Sequence, residues 1–284
     1  MLELLFYEPA GDAPTPLMDV EAALAAEIGV VLESIPGAPY RPGLWRDAAT
    51  GAGAVIDLGE PPIEEDPLHP VSTYEGWLPL HLGLQIPVTG PHWQCVEALR
   101  LVERLLERLP QSQVLDTEDT ARGEETPGPK PWRRPRVLAS WERLHTAHYT
   151  GVIPVRRMAR LTSVCLWRFR RERVEGQAAH PHLHWPEALV LLDTSNGAVR
   201  SACFWDDPAR PLALPPVDLV VIRRGGDAGV LTTEELLRIA PAQALDRAGA
   251  VVMEPGEALR RLHAEAPLLS AARFKALDDA DWTD

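Results

Sequence analysis

Within its first 120 residues the chain switches between two apolar periods, and the order of those switches leaves few ways to fold. Residues 2–7 are a short apolar run suited to a buried strand. Asp19 offers an N-cap for a helix over about 20–28, where Val20, Leu24 and Ile28 share a face. Pro36, Gly37, Pro39, Pro42 and Gly43 mark 35–46 as a loop. Ala54–Leu58 reads as a second strand, followed by an acidic, proline-rich connection over 59–76. Leu78, Leu80, Leu82, Leu84 and Ile86 then alternate at period two, which predicts a third strand over 78–88. From 92 to 109, Val96, Leu99, Val102, Leu106 and Leu109 recur at three- and four-residue spacing, the stripe of an amphipathic helix. Val114 and Leu115 supply a fourth strand.

The order strand, helix, strand, strand, helix, strand is the split βαβ layout of ferredoxin-like modules. It predicts an α+β protein in which residues 1–120 form a ferredoxin-like (βαββαβ) module. Many unrelated activities use that sheet, so the layout implies a fold and no function. Residues 121–135, acidic, then rich in Pro and Gly, then basic, read as a linker. Residues 136–284 read as a second α+β module with an antiparallel sheet. Its helix over 136–149 aligns Val137, Trp141, Leu144 and His148. Leu161–Arg173 reads as a long strand, alternating Ser163, Cys165, Trp167 and Phe169 with charged positions. Asn196-Gly197 between 189–192 and 199–205 is a hairpin signal, since both residues accept positive φ. A strand follows over 217–223. Thr232 or Thr233, with Glu235, caps a helix to about 239. A strand over 250–253, helices near 256–264 and 268–277, and a frayed acidic tail at 278–281 complete the reading.

Charge narrows the function classes. The 284 residues carry 41 Asp and Glu against 28 Lys and Arg, a net charge of −13. Phosphate neutralisation needs a basic surface, so nucleic acid is not the expected partner. An acidic chain suits a basic protein partner instead. No apolar run approaches the length of a membrane span, and Met1–Glu8 lacks the basic start of a signal peptide. Cys95, Cys165 and Cys203 are far apart and odd in number, which predicts buried thiols rather than disulfides. These features imply a cytoplasmic protein. Lys130 and Lys275 are the only lysines among the basic residues, a bias expected of a GC-rich bacterial genome.

Five clusters are candidates for chemistry. In His180-Pro181-His182-Leu183-His184 an extended backbone would put three imidazoles on one face, a zinc set with one position open for water. Glu142, His145 and His148 share a helix surface, without the spacing of HExxH. Arg223-Arg224-Gly225-Gly226-Asp227-Ala228-Gly229 reads as a strand-to-helix loop, lacking the phosphate-binding glycine pattern. His92 lies three residues before Cys95, which is expected to be structural. Trp132-Arg133-Arg134-Pro135-Arg136 concentrates the two residue types that dominate interface hot spots.

No GxSxG elbow, P-loop or other assembled catalytic set is present in the sequence. The expectation is therefore a non-catalytic protein-binding protein, such as an immunity or accessory component of a multi-protein system. Trp132, Arg133, Arg134 and Arg136 are its expected contact residues. The alternative is a metal-dependent enzyme built on His180, His182 and His184 with zinc. An exposed edge of the first sheet would also let two copies pair as a homodimer.

Overall fold

The computed structural model describes residues 1–11, 13–33, 40–59, 74–118, 128–151, 155–224, 227–239, 242–245, 249–265 and 269–284. The protein is a mixed α+β chain with several largely antiparallel sheets. It divides into two compact units, Met1–Val88 with His92–Val152, and Ile153–Asp284 with Thr89–Pro91.

The first unit contains strands β1 (Leu2–Pro9), β2 (Val30–Leu32), β3 (Arg41–Arg46), β4 (Gly53–Leu58), β5 (Trp77–Ile86) and β6 (Gln113–Asp116). Its helices are α1 (Leu17–Ala25), α2 (His92–Arg108) and α3 (Arg134–Tyr149). The strands form one sheet in the order β2-β3-β4-β5-β1-β6, with every neighbour antiparallel. The strands expected near 2–7, 54–58, 78–88 and 114–115 all form. Strands β2 and β3 were not foreseen: part of the expected loop is strand 41–46, where Gly43 packs closely on Val31 and Leu32. Residues 35–39 of that expected loop lie outside the described residues, as do 60–73 of the expected connection and 121–127 of the expected linker.

Alternation sorts this sheet into two faces. Leu2, Leu4, Phe6, Ile56, Leu58, Leu82, Leu84 and Ile86 are buried. Helix α1 contributes Val20, Ala23 and Leu24 to the core; α2 contributes Ala98, Leu99, Leu101, Val102 and Leu105. The stripe of α2 is rotated from the expected one: Val96 and Leu106 are only partly buried, and Leu101 is buried. Even Glu97 is buried there, with Arg100 donating to its carboxylate at 2.7 Å. Helix α1 starts at Leu17, so Asp19 sits in its first turn rather than at the cap. Helix α3, expected to open the second module, belongs to the first unit. Trp141 fastens it there: fully buried, it donates to the Pro87 carbonyl at 2.8 Å.

The second unit begins with helix α4 (Arg160–Ala179). The strand expected over 161–173 is therefore wrong. Ser163, Leu166, Phe169 and Gly176 are its buried positions, a helical stripe that the charged residues between them masked. Arg, Glu, Gln, Leu and Ala fill much of the segment, and all favour helix. Strands β7 (Ala188–Asp193), β8 (Ala198–Trp205), β9 (Leu212–Leu214), β10 (Leu219–Arg224) and β11 (Asp227–Thr232) follow, then helix α5 (Thr233–Ile239). Next come β12 (Ala242–Ala244), β13 (Val251–Met253), helix α6 (Glu257–Glu265), β14 (Leu269–Ser270) and β15 (Phe274–Leu277). The helix expected over 268–277 is thus replaced by two short strands joined by a 3-10 turn at Ala271–Arg273. The acidic tail is anchored rather than frayed: Trp282 is buried, and Thr283 exchanges backbone hydrogen bonds with Arg156 and Met158 at 2.9 Å.

The larger sheet has the order β14-β11-β10-β8-β7-β15, with β8 and β10 parallel and the other pairs antiparallel. A second, three-stranded antiparallel sheet runs β12-β13-β9. The terminal strands β14 and β15 stand at opposite ends of the larger order. A flat sheet would hold them about 24 Å apart, at about 4.8 Å per strand spacing. The chain between them, from Ser270 to Phe274, reaches at most about 14 Å. The sheet therefore curls until the single segment 269–277 pairs with both edges and closes a ring of strands. Arg273 pins that closure by donating to both oxygens of the buried Asp193, at 2.8 and 2.5 Å. The hairpin at β7–β8 forms as expected, but with a four-residue turn, Thr194–Gly197. Only Gly197 of the Asn-Gly pair takes positive φ, at +74°. Thr232 and Glu235 form the expected capping box: each side chain bonds the other residue's backbone N–H, at 3.0 and 3.2 Å.

Gly176 shows how tightly α4 is seated. A Cβ there would lie 2.4 Å from the Trp185 ring, which is buried and stacked on Phe169. Gly176→Ala would gain about 1 kcal/mol of helix propensity, but the indole has nowhere to retreat, and such overpacking costs about 1–3 kcal/mol. We expect net destabilisation of up to about 2 kcal/mol in urea titrations of the variant; a stabilised variant would show that Trp185 can move.

Candidate functional site

Charge is divided unequally between the two units. Residues 1–152 hold 23 Asp and Glu against 11 Lys and Arg, a formal charge of −12; residues 153–284 hold 18 against 17, a charge of −1. The acidity of the chain therefore resides in the first unit.

Part of that acidity is consumed internally. Glu27, buried at the end of α1, accepts from Arg104 at 2.6 Å and Arg108 at 2.9 Å on α2. Burial alone would raise its pKa, but the hydrogen bonds from the two guanidiniums outweigh it and hold the carboxyl below the ordinary Glu value. Glu103 of α2 accepts from Trp132 Nε1 and from Arg134, both at 3.3 Å, and Arg134 also reaches the Val96 carbonyl. Two of the expected contact residues, Trp132 and Arg134, are thus tied down within the unit. Trp132 belongs to a strap over 128–133, which exchanges two backbone hydrogen bonds between Lys130 and Val114 and so covers part of the β6 edge, and Arg134 opens α3. Arg133 is exposed, and Arg136 lines a small depression with Asp116, Lys130 and Trp132.

The histidine candidates resolve into packing. His92 and His145 flank Trp141, one edge-on at 5.5 Å and one stacked at 4.4 Å between ring centres. His92 Nε2 lies 3.6 Å from Glu142, and His145 Nδ1 lies 2.8 Å from the Val88 carbonyl. His148 packs instead on Tyr149. The three histidines of 180–184 do not share one face. His180 ends α4, His182 lies in the turn after it with ring centres 6.1 Å apart, and His184 is drawn into a parallel bridge with Leu212. Residues 181–183 turn, with the Leu183 N–H donating to the His180 carbonyl at 3.1 Å, so the extended run that a common face requires does not form. Among the described residues no three His, Cys, Asp or Glu side chains gather to hold a metal ion. Cys95 and Cys203 are fully buried, and burial pushes both thiols well above their ordinary pKa.

Arg223–Gly229 is not a strand-to-helix loop. Its ends pair as Arg224 with Asp227 across the β10–β11 hairpin, while Gly225 and Gly226 lie outside the described residues. Gly-Gly between two apolar runs is itself a hairpin signal, which the reading missed. Arg223 lies over the Phe204 ring, 4.0 Å from its centre.

One surface was missed because two of its strands were. On the face of the first sheet opposite Ile56 and Leu84, register places Val31, Leu44, Val55, Gln85 and Glu3 in one row across five strands. A second row runs Pro42, Asp57, Gly83, Leu5 and Leu115. Val31 is 67% exposed and Leu44 59% exposed. Asp57 accepts from the Tyr40 hydroxyl and from Gln85 Nε2, the latter at 2.9 Å. Burial, aided by that carboxylate, pushes the Tyr40 pKa up to about 12, so Tyr40 stays a neutral donor. Alternation in Gly43-Leu44-Trp45-Arg46 was the available signal; Pro42 and Gly43 concealed it.

No protein-family model matches the chain, and no curated protein or solved structure is significantly similar to it.

Asp193 and Glu27 make a testable pair. Hydrogen bonds from Arg273 and Ser195 hold Asp193 below the ordinary Asp value, as the arginines do for Glu27. The folded protein therefore keeps these carboxylates ionised where the unfolded chain, titrating near about 3.9 and 4.3, takes up protons. Their stabilisation is complete above about pH 5 and is lost as pH falls toward the folded values. In Asp193→Asn and Glu27→Gln the urea midpoint should fall less steeply between about pH 5 and pH 3 than in the parent. At pH 7, Glu27→Gln should cost about 1–2 kcal/mol, a modest figure because both arginines are roughly half exposed. A pH slope unchanged in both variants would remove these pairs as the source of acid sensitivity.

Proposed function

We propose that the chain is a non-catalytic protein-binding protein that recognises a basic partner through its acidic first unit, as an immunity or accessory component of a multi-protein system would. The observation that carries this reading is the division of charge, −12 against −1. A field concentrated on one unit steers a cationic partner to it and speeds encounter, from ~10⁵–10⁶ toward ~10⁸ M⁻¹s⁻¹ at low salt. A charge spread evenly for solubility alone would not favour one unit.

The first unit is read as a ferredoxin-like module enlarged by one hairpin. Setting β2 and β3 aside, the order β4-β5-β1-β6, all antiparallel, with α1 and α2 as its two crossovers, supports that reading. No helix among the described residues is long and apolar enough to cross a membrane.

The test is capture from native lysate with the full chain as bait, washed at about 0.05 M and about 0.5 M NaCl. Screening shortens from roughly 14 Å to 4 Å over that range. A stoichiometric partner of basic pI that is released by salt is expected. Retention of a partner regardless of salt, or of an acidic one, would overturn the electrostatic reading.

A further inference from the structure

The open face of the first sheet combines what a docking surface for such a partner requires. We propose that the β2-β3-β4 end of this face is the contact surface, and that its occupant is a basic protein presenting an apolar centre ringed by Lys or Arg. This rests on the reading of the chain as a binder of basic proteins and adds the surface by which it binds.

Three observations support the assignment. The first is an apolar row, Val31–Leu44–Val55, made of directly opposed cross-strand neighbours. Val31 and Leu44 are the most exposed members, although β-branched and aliphatic residues opposed in this way ordinarily gain their stabilisation by being covered. The helix-facing positions of the same strands, Trp45, Ala54 and Ile56, are 3% exposed or less. The exposure is thus a property of the outer face and not of loose strands.

The second is charge. Glu33, paired to β3 through the Pro42 carbonyl, and Asp57 and Glu3 within the two rows put three carboxylates around that apolar row. Arg46 is the cation on the outer positions of the described β2–β4 residues. The described residues of the unit hold 15 Asp and Glu against 10 Lys and Arg. A second copy of this chain would bring the same acidic surface against itself, so charge complementarity favours a cationic occupant over a homodimer.

The third is preorganisation. Asp57 is held by Tyr40 and Gln85, and the adjacent Gly83 leaves the face flat where a side chain would stand, with Leu5 and Asp57 in contact range of its missing Cβ. A carboxylate fixed by two neutral donors keeps its position, so a partner's cation meets it without first ordering it.

The experiment places a photo-crosslinking residue at position 31, 44 or 132 of the full-length protein expressed in its native cells. The expected result is an adduct from positions 31 and 44 with a protein of pI above about 9. Adduct yield from position 31 should fall at least tenfold in Leu44→Asp and in about 0.5 M NaCl. Leu44 is exposed, so Leu44→Asp should melt within about 2 °C of the parent, which separates lost docking from lost folding. Adducts from position 132 alone would overturn the surface while leaving the binding reading intact. Adducts of the chain with itself from 31 and 44 would make the face a dimer contact and overturn the proposal. No adduct from any position would overturn both the surface and the reading beneath it.

Discussion

Helices α1 and α2 pack against one face of a six-stranded sheet, and that constraint determines what the first unit can offer. Side chains on a strand alternate between faces, so burying Leu2, Leu4, Phe6, Ile56, Leu58, Leu84 and Ile86 against α1 and α2 turns Glu3, Leu5, Val55, Asp57 and Gln85 the other way. A one-residue slip would exchange the two sets, and no register between them is available. The outer face is therefore a necessary by-product of the core. At the β2–β4 end, where Val31 and Leu44 are exposed, the core does not use it, whereas Leu115 at the other end is buried.

The second unit meets the exposed-edge problem differently. An open sheet of this width would leave two unpaired rows of backbone donors and acceptors. Here one segment, 269–277, supplies a partner to both β11 and β7, and the turn at Ala271–Arg273 lets it cross from one to the other. The ion pair between Arg273 and Asp193 lies where that crossing rejoins the sheet. Closure of this kind comes late in the sequence and depends on residues about 80 positions apart, as the separation of Arg273 from Asp193 shows. Local propensity cannot reveal it. The segment instead reads as a helix, because Ala271, Ala272, Phe274, Lys275, Ala276 and Leu277 include strong helix formers.

The same contrast explains how much of the molecule was legible. Strands β1, β4 and β5 and helix α2 were readable because each is long enough for its period to show, and the Thr232–Glu235 cap because its chemistry is local. Helix α4 was misread because Ser163, Cys165, Trp167 and Phe169 alternate by coincidence while the buried set, Ser163, Leu166 and Phe169, is spaced by three. Trp185, beyond the helix, decides the matter by packing on Gly176, a contact invisible to any window along the chain. The Trp132–Arg136 segment was legible as chemistry but not as placement. Its tryptophan and Arg134 look free for a partner until Glu103, on a helix about 30 residues earlier, is seen to hold both. The outer face was the converse case: its residues were placed in a loop, and only pairing across five strands assembled them.

The acidic unit carries a cost that its internal pairs moderate. Twelve excess negative charges on one small unit repel one another and oppose compaction. Glu27, Glu97 and Glu103 escape part of that cost by lying against Arg104, Arg108, Arg100 and Arg134 on or beside α2. Arg100, Arg104, Arg108 and Arg134 thereby neutralise carboxylates on the helical side that folding would otherwise bury or crowd. On the open sheet face, Glu3, Glu33 and Asp57 are matched by Arg46 alone among the outer positions of β2–β4. Among the described outer positions of β2–β4 and the adjoining Glu33, two carboxylates, Glu33 and Asp57, stand against Arg46, so the pairing that stabilises the helical side does not draw on this part of the sheet.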